Sequence, residues 1–359
     1  MNNSKIVVGM SGGVDSSTAA ILLKEKKYNV IGATIITHGE KVVADAAREI
    51  CEKIGIEHHV IDLSVDFKSR VIDCFSKSYI RGETPNPCVE CNFYIKFGKF
   101  REIARELGAE YIATGHFVKK IFNEELGRWL LYKGADPKKD QSYMLYKLNQ
   151  IQLAHSVFPL GEYSKTEVRE IARNNNLLDV SQKAESQEIC FIPDNDYCSF
   201  ISSKVKNVNE TGNFIDCDGN IIGKHKGIIN YTIGQRKGLG TTFGKPMFVV
   251  AIDPQKNEVI LGENKDVFTN ELWATDLNWI AFDKLIKPRK AMVKIRYQAL
   301  PVPAVIREEE KGIFKVIFES PQRAVTPGQS VVFYEDSLVL GGGKIISDVR
   351  GIRKDLLNI

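Results

Sequence analysis

The chain has 359 residues, of which 43% are hydrophobic, 26% charged and 9% aromatic. It can therefore bury proper cores, which excludes disorder as its overall state, and at about 150 residues per domain it predicts two or three domains. Lys plus Arg number 49 against 45 Asp plus Glu, a net charge of +4 that permits an anionic partner and excludes a histone-like or acidic-tail protein.

The first strand is KIVVG (5–9), and the helical pattern DSSTAAILLKEK (15–26) follows a Gly/Ser turn. That turn, Gly9, Met10, Ser11, Gly12, Gly13, Val14, Asp15, Ser16 and Ser17, reads as a phosphate cradle. Two glycines let the backbone approach an anion, the helix N-terminus offers free N–H groups, and three hydroxyls add donors. It lacks both the Walker lysine and the G-x-G-x-x-G spacing, which weakens kinase, GTPase and dehydrogenase readings together. The bland alternative is a Gly-rich turn with Asp15 as the helix N-cap.

Strand and helix then alternate: NVIGATII (29–36), VVADAAREICEKIG (42–55), HHVIDL (58–63), a helix through about Arg81, a helix over 93–108, and YIATG (111–115). Such alternation predicts a parallel sheet with helices on both faces. The apolar runs are far too short to span a bilayer and no cleavable apolar segment precedes the first strand, so a soluble, cytoplasmic protein is expected. In that reducing compartment the seven cysteines should be free thiols.

Cys88 and Cys91 stand three residues apart in the Pro-rich stretch 85–92, and Cys91 is expected near the N-terminus of the 93–108 helix, where the dipole favours a thiolate. Cys190 lies in a second loop that can converge with the first on the sheet's C-terminal edge. A C-x-x-C pair suits zinc, an iron–sulfur cluster or thiol chemistry, and the lack of a second pair argues against closed zinc. Cys51, Cys74, Cys198 and Cys217 are expected to be small buried hydrophobes.

The last strong amphipathic helix, 164–175, has Ser164 as N-cap and Glu167 placed for a capping box. Beyond about residue 205 the texture becomes short β-rich runs. The expected domains are an α/β catalytic domain over 1–205, a small β-rich domain over 206–268 and a C-terminal β-barrel over 269–359.

SGGVDS resembles the PP-loop of the N-type ATP pyrophosphatases, which cleave ATP to AMP and pyrophosphate. Taken with TPNPCVECN (84–92), ATGH (113–116), KDQSYML (139–145), FPLGEYSKTEVREIA (158–172), ESQEICFIP (185–193), YTIGQRKGLG (231–240), VKIRYQALPVPA (293–304) and PQRAVTPGQSVVFY (321–334), the chain resembles the tRNA-specific 2-thiouridylases over nearly its whole length. These enzymes replace O2 of wobble uridine 34 with sulfur. The resemblance implies ATP, with Mg2+, on Gly9 to Ser16, Ile35 and Gly115. It implies Cys91 as nucleophile and Cys190 as persulfide carrier, fed by a sulfur donor or relay protein and ending in a disulfide. Asn86, Pro87 and Cys88 would meet the target base, and Lys139, Asp140 and Gln141 the tRNA.

Arg296 and Tyr297 would also meet tRNA. Arg296 ends a basic stretch (Lys284, Lys287, Arg289, Lys290, Lys294) without carboxylates, and Tyr297 offers a stacking ring. The chain departs from the better-known pattern twice. Cys88 stands where an Asp is usual, and the C-x-x-C variant is associated with a labile [4Fe-4S] cluster on three cysteines, here Cys88, Cys91 and Cys190. That substitution and the reducing compartment favour the cluster over the persulfide route. After the second strand there is only THGEK (37–41) in place of an acidic, aromatic segment. A small-molecule PP-loop synthetase would need neither paired thiols nor a basic β-domain. A non-catalytic tRNA-binding protein would show a damaged loop or missing thiols.

Overall fold

A computed structural model describes residues 4–38, 42–178, 189–205 and 208–347. Residues 39–41 of THGEK and 185–188 of ESQEICFIP lie outside them.

Ile6, Val7 and Val8 are fully buried in β1 (Lys5–Gly9), as expected of a strand covered on both faces. It lies centrally in a five-stranded all-parallel sheet of order β3-β2-β1-β4-β7, with β2 (Asn29–Ile36), β3 (Glu57–Asp62), β4 (Tyr111–Ala113) and β7 (Ser156–Val157). The strand order reverses direction between β1 and β4, so the loops after these two strands flank the crevice where ligands collect in open α/β sheets. Helix α1 (Val14–Glu25) follows β1, and α2 (Val42–Ile54) follows β2. Two longer helical runs, 64–80 and 87–106, each contain a π-type stretch, Lys68–Ile72 and Cys91–Lys99.

A hairpin of β5 (Val118–Asn123) and β6 (Arg128–Lys133), unforeseen in the sequence, interrupts the α/β alternation. It leaves the parallel sheet and joins the C-terminal barrel, where Tyr132 pairs with Leu338. The small middle unit is a four-stranded sheet of β8 (Gly212–Ile215), β9 (Ile221–His225), β10 (Phe248–Asp253) and β11 (Glu258–Gly262). The barrel consists of β12 (Phe268–Trp279), β13 (Arg289–Lys294), β14 (Val302–Glu310), β15 (Ile313–Arg323), β16 (Ser330–Glu335) and β17 (Leu338–Ile346). Pairing of β12 with both β15 and β17 closes it, so β12 and β17 leave no open edge between them. The fold class expected from the pattern, parallel α/β followed by a small β unit and a barrel, is the one observed. Among the described residues no helix is long and apolar enough to cross a membrane.

Candidate active site at the C-terminal edge of the parallel sheet

The loop after β1 is held in shape by its own serines. Ser16 and Ser17 donate from Oγ to the Gly13 carbonyl at 3.1 and 2.9 Å, and the Ser11 amide donates to Ser16 Oγ at 3.2 Å. Gly12 has φ of +70°, a conformation that favours glycine. Gly13 is the N-cap of α1 and makes no side-chain cap bond, which leaves the first-turn amides available to an anion.

Asp15 is therefore not the cap that the bland reading expected. It takes a 2.6 Å ion pair from Lys165, whose side chain is only 7% exposed, at the start of the Lys165–Asn174 helix. The capping box expected there is present, with Ser164 and Glu167 bonded reciprocally. The ATGH turn after β4 presses against the same loop. A Cβ on Gly115 would lie 2.8 Å from Asp15 and 3.0 Å from the Ser16 amide nitrogen, so glycine is what permits the approach. Ile35 is half-buried on β2 beside Thr34, whose hydroxyl donates to the Met10 carbonyl at 2.9 Å.

The thiol loop departs from expectation. Its helix begins at Pro87, the first-turn proline fixing its start, so Cys91 lies beyond that first turn, at the head of the π-type stretch. Burial pushes the Cys91 thiol up to about 12, against a weaker lowering by Lys96, which reverses the thiolate expectation. Desolvation by the surrounding protein likewise raises the Cys88 and Cys190 thiols, although both residues keep solvent-exposed surface, and Lys96 opposes it at both. Cys88, Cys91 and Cys190 all interact electrostatically, so the two loops do converge.

The Cys190 loop is tied down by His38 at the end of β2. His38 Nε2 donates to the Cys190 carbonyl at 2.6 Å, and its ring stacks on Phe67 at 5.6 Å. His116 of the ATGH turn is buried and kept neutral, well below the usual imidazole range, by desolvation and then by Lys96. Sequence reasoning missed Lys96, His38 and Lys165, because nothing local marks a lysine or histidine whose partner is distant in the chain.

All seven cysteines are free thiols. Among the described residues no group of three or more His, Cys, Asp or Glu is arranged to hold a metal ion. Cys88 and Cys91 share one helix and Cys190 lies on a separate loop, and as placed the three thiols do not form the ligand group that the expected [4Fe-4S] cluster would need. Of the cysteines expected to be buried hydrophobes, Cys51 is fully buried, whereas Cys74 and Cys217 are exposed because their helix and turn positions face solvent.

Three domain families match in order: the tRNA methyl transferase HUP domain over residues 4–194, its PRC-barrel domain over 199–263 and the aminomethyltransferase beta-barrel domain over 269–345. The chain is 49% identical to the tRNA-specific 2-thiouridylase MnmA of Desulfitobacterium hafniense (strain Y51) over 96% of its own length and 98% of that protein's. It is 48% identical to the same enzyme of Clostridioides difficile (strain 630), over 96% and 98%. The chain belongs to the tRNA-specific 2-thiouridylase family.

As a 2-thiouridylase it is a tRNA sulfurtransferase, which gives meaning to the polar residues around the thiols. Asn86 donates to Met144 Sδ at 3.6 Å, and Pro87 is buried. Asp140 accepts from the Ser142 amide and hydroxyl at 3.1 and 2.9 Å, and the Gln141 side chain accepts from the Phe117 amide at 3.0 Å, so both shape the turn that carries Lys139.

On this thiouridylase's barrel, Arg296 donates to the carbonyls of Arg323 and Ala324, clamping a turn in which Ala324 has φ of +53°. The Tyr297 ring leans on Tyr143 at 6.1 Å. The basic stretch is not free of carboxylates in space, since Arg289 pairs with Glu335 at 3.0 Å.

The barrel also supports the thiol loop directly. The Thr84 amide donates to the Pro327 carbonyl at 2.8 Å, Gln329 donates to the Thr84 carbonyl at 2.8 Å, and Lys344 pairs with Glu83 at 2.9 Å.

Proposed function

We propose that this thiouridylase binds ATP, as its Mg2+ complex, on Gly9 to Ser16 with Ile35 and Gly115, and adenylates O2 of uridine 34 with release of pyrophosphate. The chain's division at about 205 and 268 then adds to the catalytic domain, which carries tRNA contacts of its own, a barrel that contributes further ones. The observation that carries the reading is the convergence of Cys91 and Cys190 on the sheet edge where uncapped α1 amides and the ATGH turn meet. Adenylation turns a poor leaving oxygen into a good one. A persulfide on Cys190, loaded by a sulfur donor, then attacks C2 through its terminal sulfur, and AMP departs with the former O2.

Cys91 next attacks Cys190 Sγ. The Cys91–Cys190 disulfide forms, the electron pair of the broken S–S bond stays on the base sulfur, and 2-thiouridine is released. An external thiol reductant restores both cysteines. Since the Cys91 thiol is held up by burial, its proton must leave to a base or solvent as tRNA docks. Asn86, Pro87 and Cys88 border the target base. Lys139 to Gln141, Arg296 and Tyr297 support the tRNA.

The test is product analysis with a tRNA transcript and a persulfide donor. AMP and pyrophosphate should form in step with 2-thiouridine. Cys91→Ser and Cys190→Ser should each abolish thiolation while still binding tRNA. Formation of ADP and inorganic phosphate instead would exclude adenylation.

A further inference from the structure

Among the described residues of the site, Lys96 is a cation with no assigned task. Lys96 is half-buried in the π-type stretch Cys91–Lys99 and, among the described residues, makes no ion pair and no hydrogen bond. Glu90, six residues earlier on the same helical run, is taken by Lys147 at 2.7 and 2.8 Å. A half-buried ammonium without a counter-charge is costly to keep unless an anion visits it.

Its position says where that anion would sit. Lys96 follows Cys91 by five residues, and the i to i+5 spacing of a π-type turn stacks the two on one helix face. Gly98 and Gln152 preserve that turn: a Cβ on Gly98 would lie 2.9 Å from the Phe93 carbonyl oxygen, which instead receives the Gln152 side-chain amide at 2.8 Å. The Lys96 charge acts on Cys88, Cys91 and Cys190 and also on His116, against whose ring the next residue, Phe97, packs at 5.7 Å. His116 adjoins Gly115, which packs against Asp15 and Ser16 of the phosphate loop. Lys96 thus shares a helix with Cys91 and adjoins the residue that packs on the nucleotide-edge histidine.

We propose that Lys96 binds the phosphate of AMP, first within the adenylated uridine and then as the leaving group. The proposal rests on the adenylation reading above and adds the residue that bears the charge. As the C2–S bond forms and the C2–O2 bond breaks, the electron pair goes to the departing phosphate oxygen, and the ammonium beside it balances that charge. In ATP itself the β- and γ-phosphates have the α1 amides, so Lys96 matters less to ATP than to AMP.

The experiment uses the full-length protein and the variants Lys96→Gln, Lys96→Met and Lys96→Arg, with matching melting temperatures as the check on folding. AMP and ATP affinities are measured by calorimetry, and pyrophosphate release and thiolation in single turnover. Loss of the charge should weaken AMP about tenfold or more, leave ATP within about threefold, and slow thiolation about 100-fold, in line with the removal of one charge-stabilising donor. Lys96→Arg should recover most of each. AMP affinity unchanged in both neutral variants, or an arginine variant as defective as they are, overturns the proposal. Wild-type protein that yields ADP and phosphate overturns the adenylation reading itself. Wild-type protein that yields pyrophosphate while Lys96→Gln binds AMP normally overturns the role of Lys96 alone.

Discussion

Cys88 is the residue on which the two sulfur routes divide. It shares a helix with Cys91, its side chain is exposed, and its thiol is not part of a metal-ligating group. The dithiol route uses it neither to carry sulfur nor to release product, so Cys88→Ser should thiolate tRNA within about threefold of wild type, a cost of less than about 1 kcal/mol in the transition state. Thiolation by the variant after anaerobic purification, with iron assayed in parallel, checks this. A near-complete loss of activity together with loss of bound iron would restore the cluster. The candidate residues themselves were legible in sequence wherever the chemistry is contiguous, as in Gly12, Gly13 and the Cys88–Cys91 pair. The charge states were not. Cys91 reads as a helix-start thiolate, yet burial decides its proton affinity, and burial depends on residues far along the chain. Asp15 and Lys165 form one ion pair across 150 positions, which no local pattern marks.

Among the elements, the 87–106 helix departs most from what its sequence suggests. Its apolar periodicity predicts an ordinary helix from Phe93, while the structure starts it six residues earlier, at Pro87, and inserts a wide turn over Cys91–Lys99. The wide turn depends on a carbonyl satisfied from outside the helix and on a glycine that leaves room for it. Gly98→Ala should therefore cost about 1–3 kcal/mol, by overpacking against a backbone oxygen rather than through helix propensity, where alanine is the better residue. Chemical denaturation would show it, and a stabilised variant would rule out the wide turn. The Lys165–Asn174 helix is the opposite case. Its capping box is local chemistry and was readable, as were the buried parallel strands. The β5–β6 hairpin was not readable, because its partner strand belongs to another domain.

At the scale of the whole molecule, the barrel and the thiol loop form a single mechanical unit through Glu83. Burial would raise the Glu83 carboxyl, but Lys344 and Arg81 outweigh it and hold the group below the usual range. A carboxylate depressed in the folded state stabilises above its unfolded pKa of about 4.3, and that contribution disappears as pH falls through the folded value. Glu83→Gln should accordingly lower stability by about 1–2 kcal/mol at pH 7, with the difference closing below about pH 4. Thermal melts of the two proteins across that range give the answer, and a gap that persists in acid would point to packing instead.

The hairpin that reaches from the catalytic half into the barrel has a consequence in time. Tyr132 leaves the ribosome long before its partner Leu338. At a synthesis rate of about 5–20 residues per second, the β6 edge waits roughly 10–40 s for β17. Throughout that interval an unpaired strand edge, with Ile121 and Phe122 exposed on the adjoining strand even in the finished fold, is open to wrong pairing. The hairpin of a nascent chain therefore finds its partner only after the last barrel strand has emerged, and premature termination before that strand removes both the hairpin's partner and the Lys344–Glu83 pair that ties the barrel to the thiol loop.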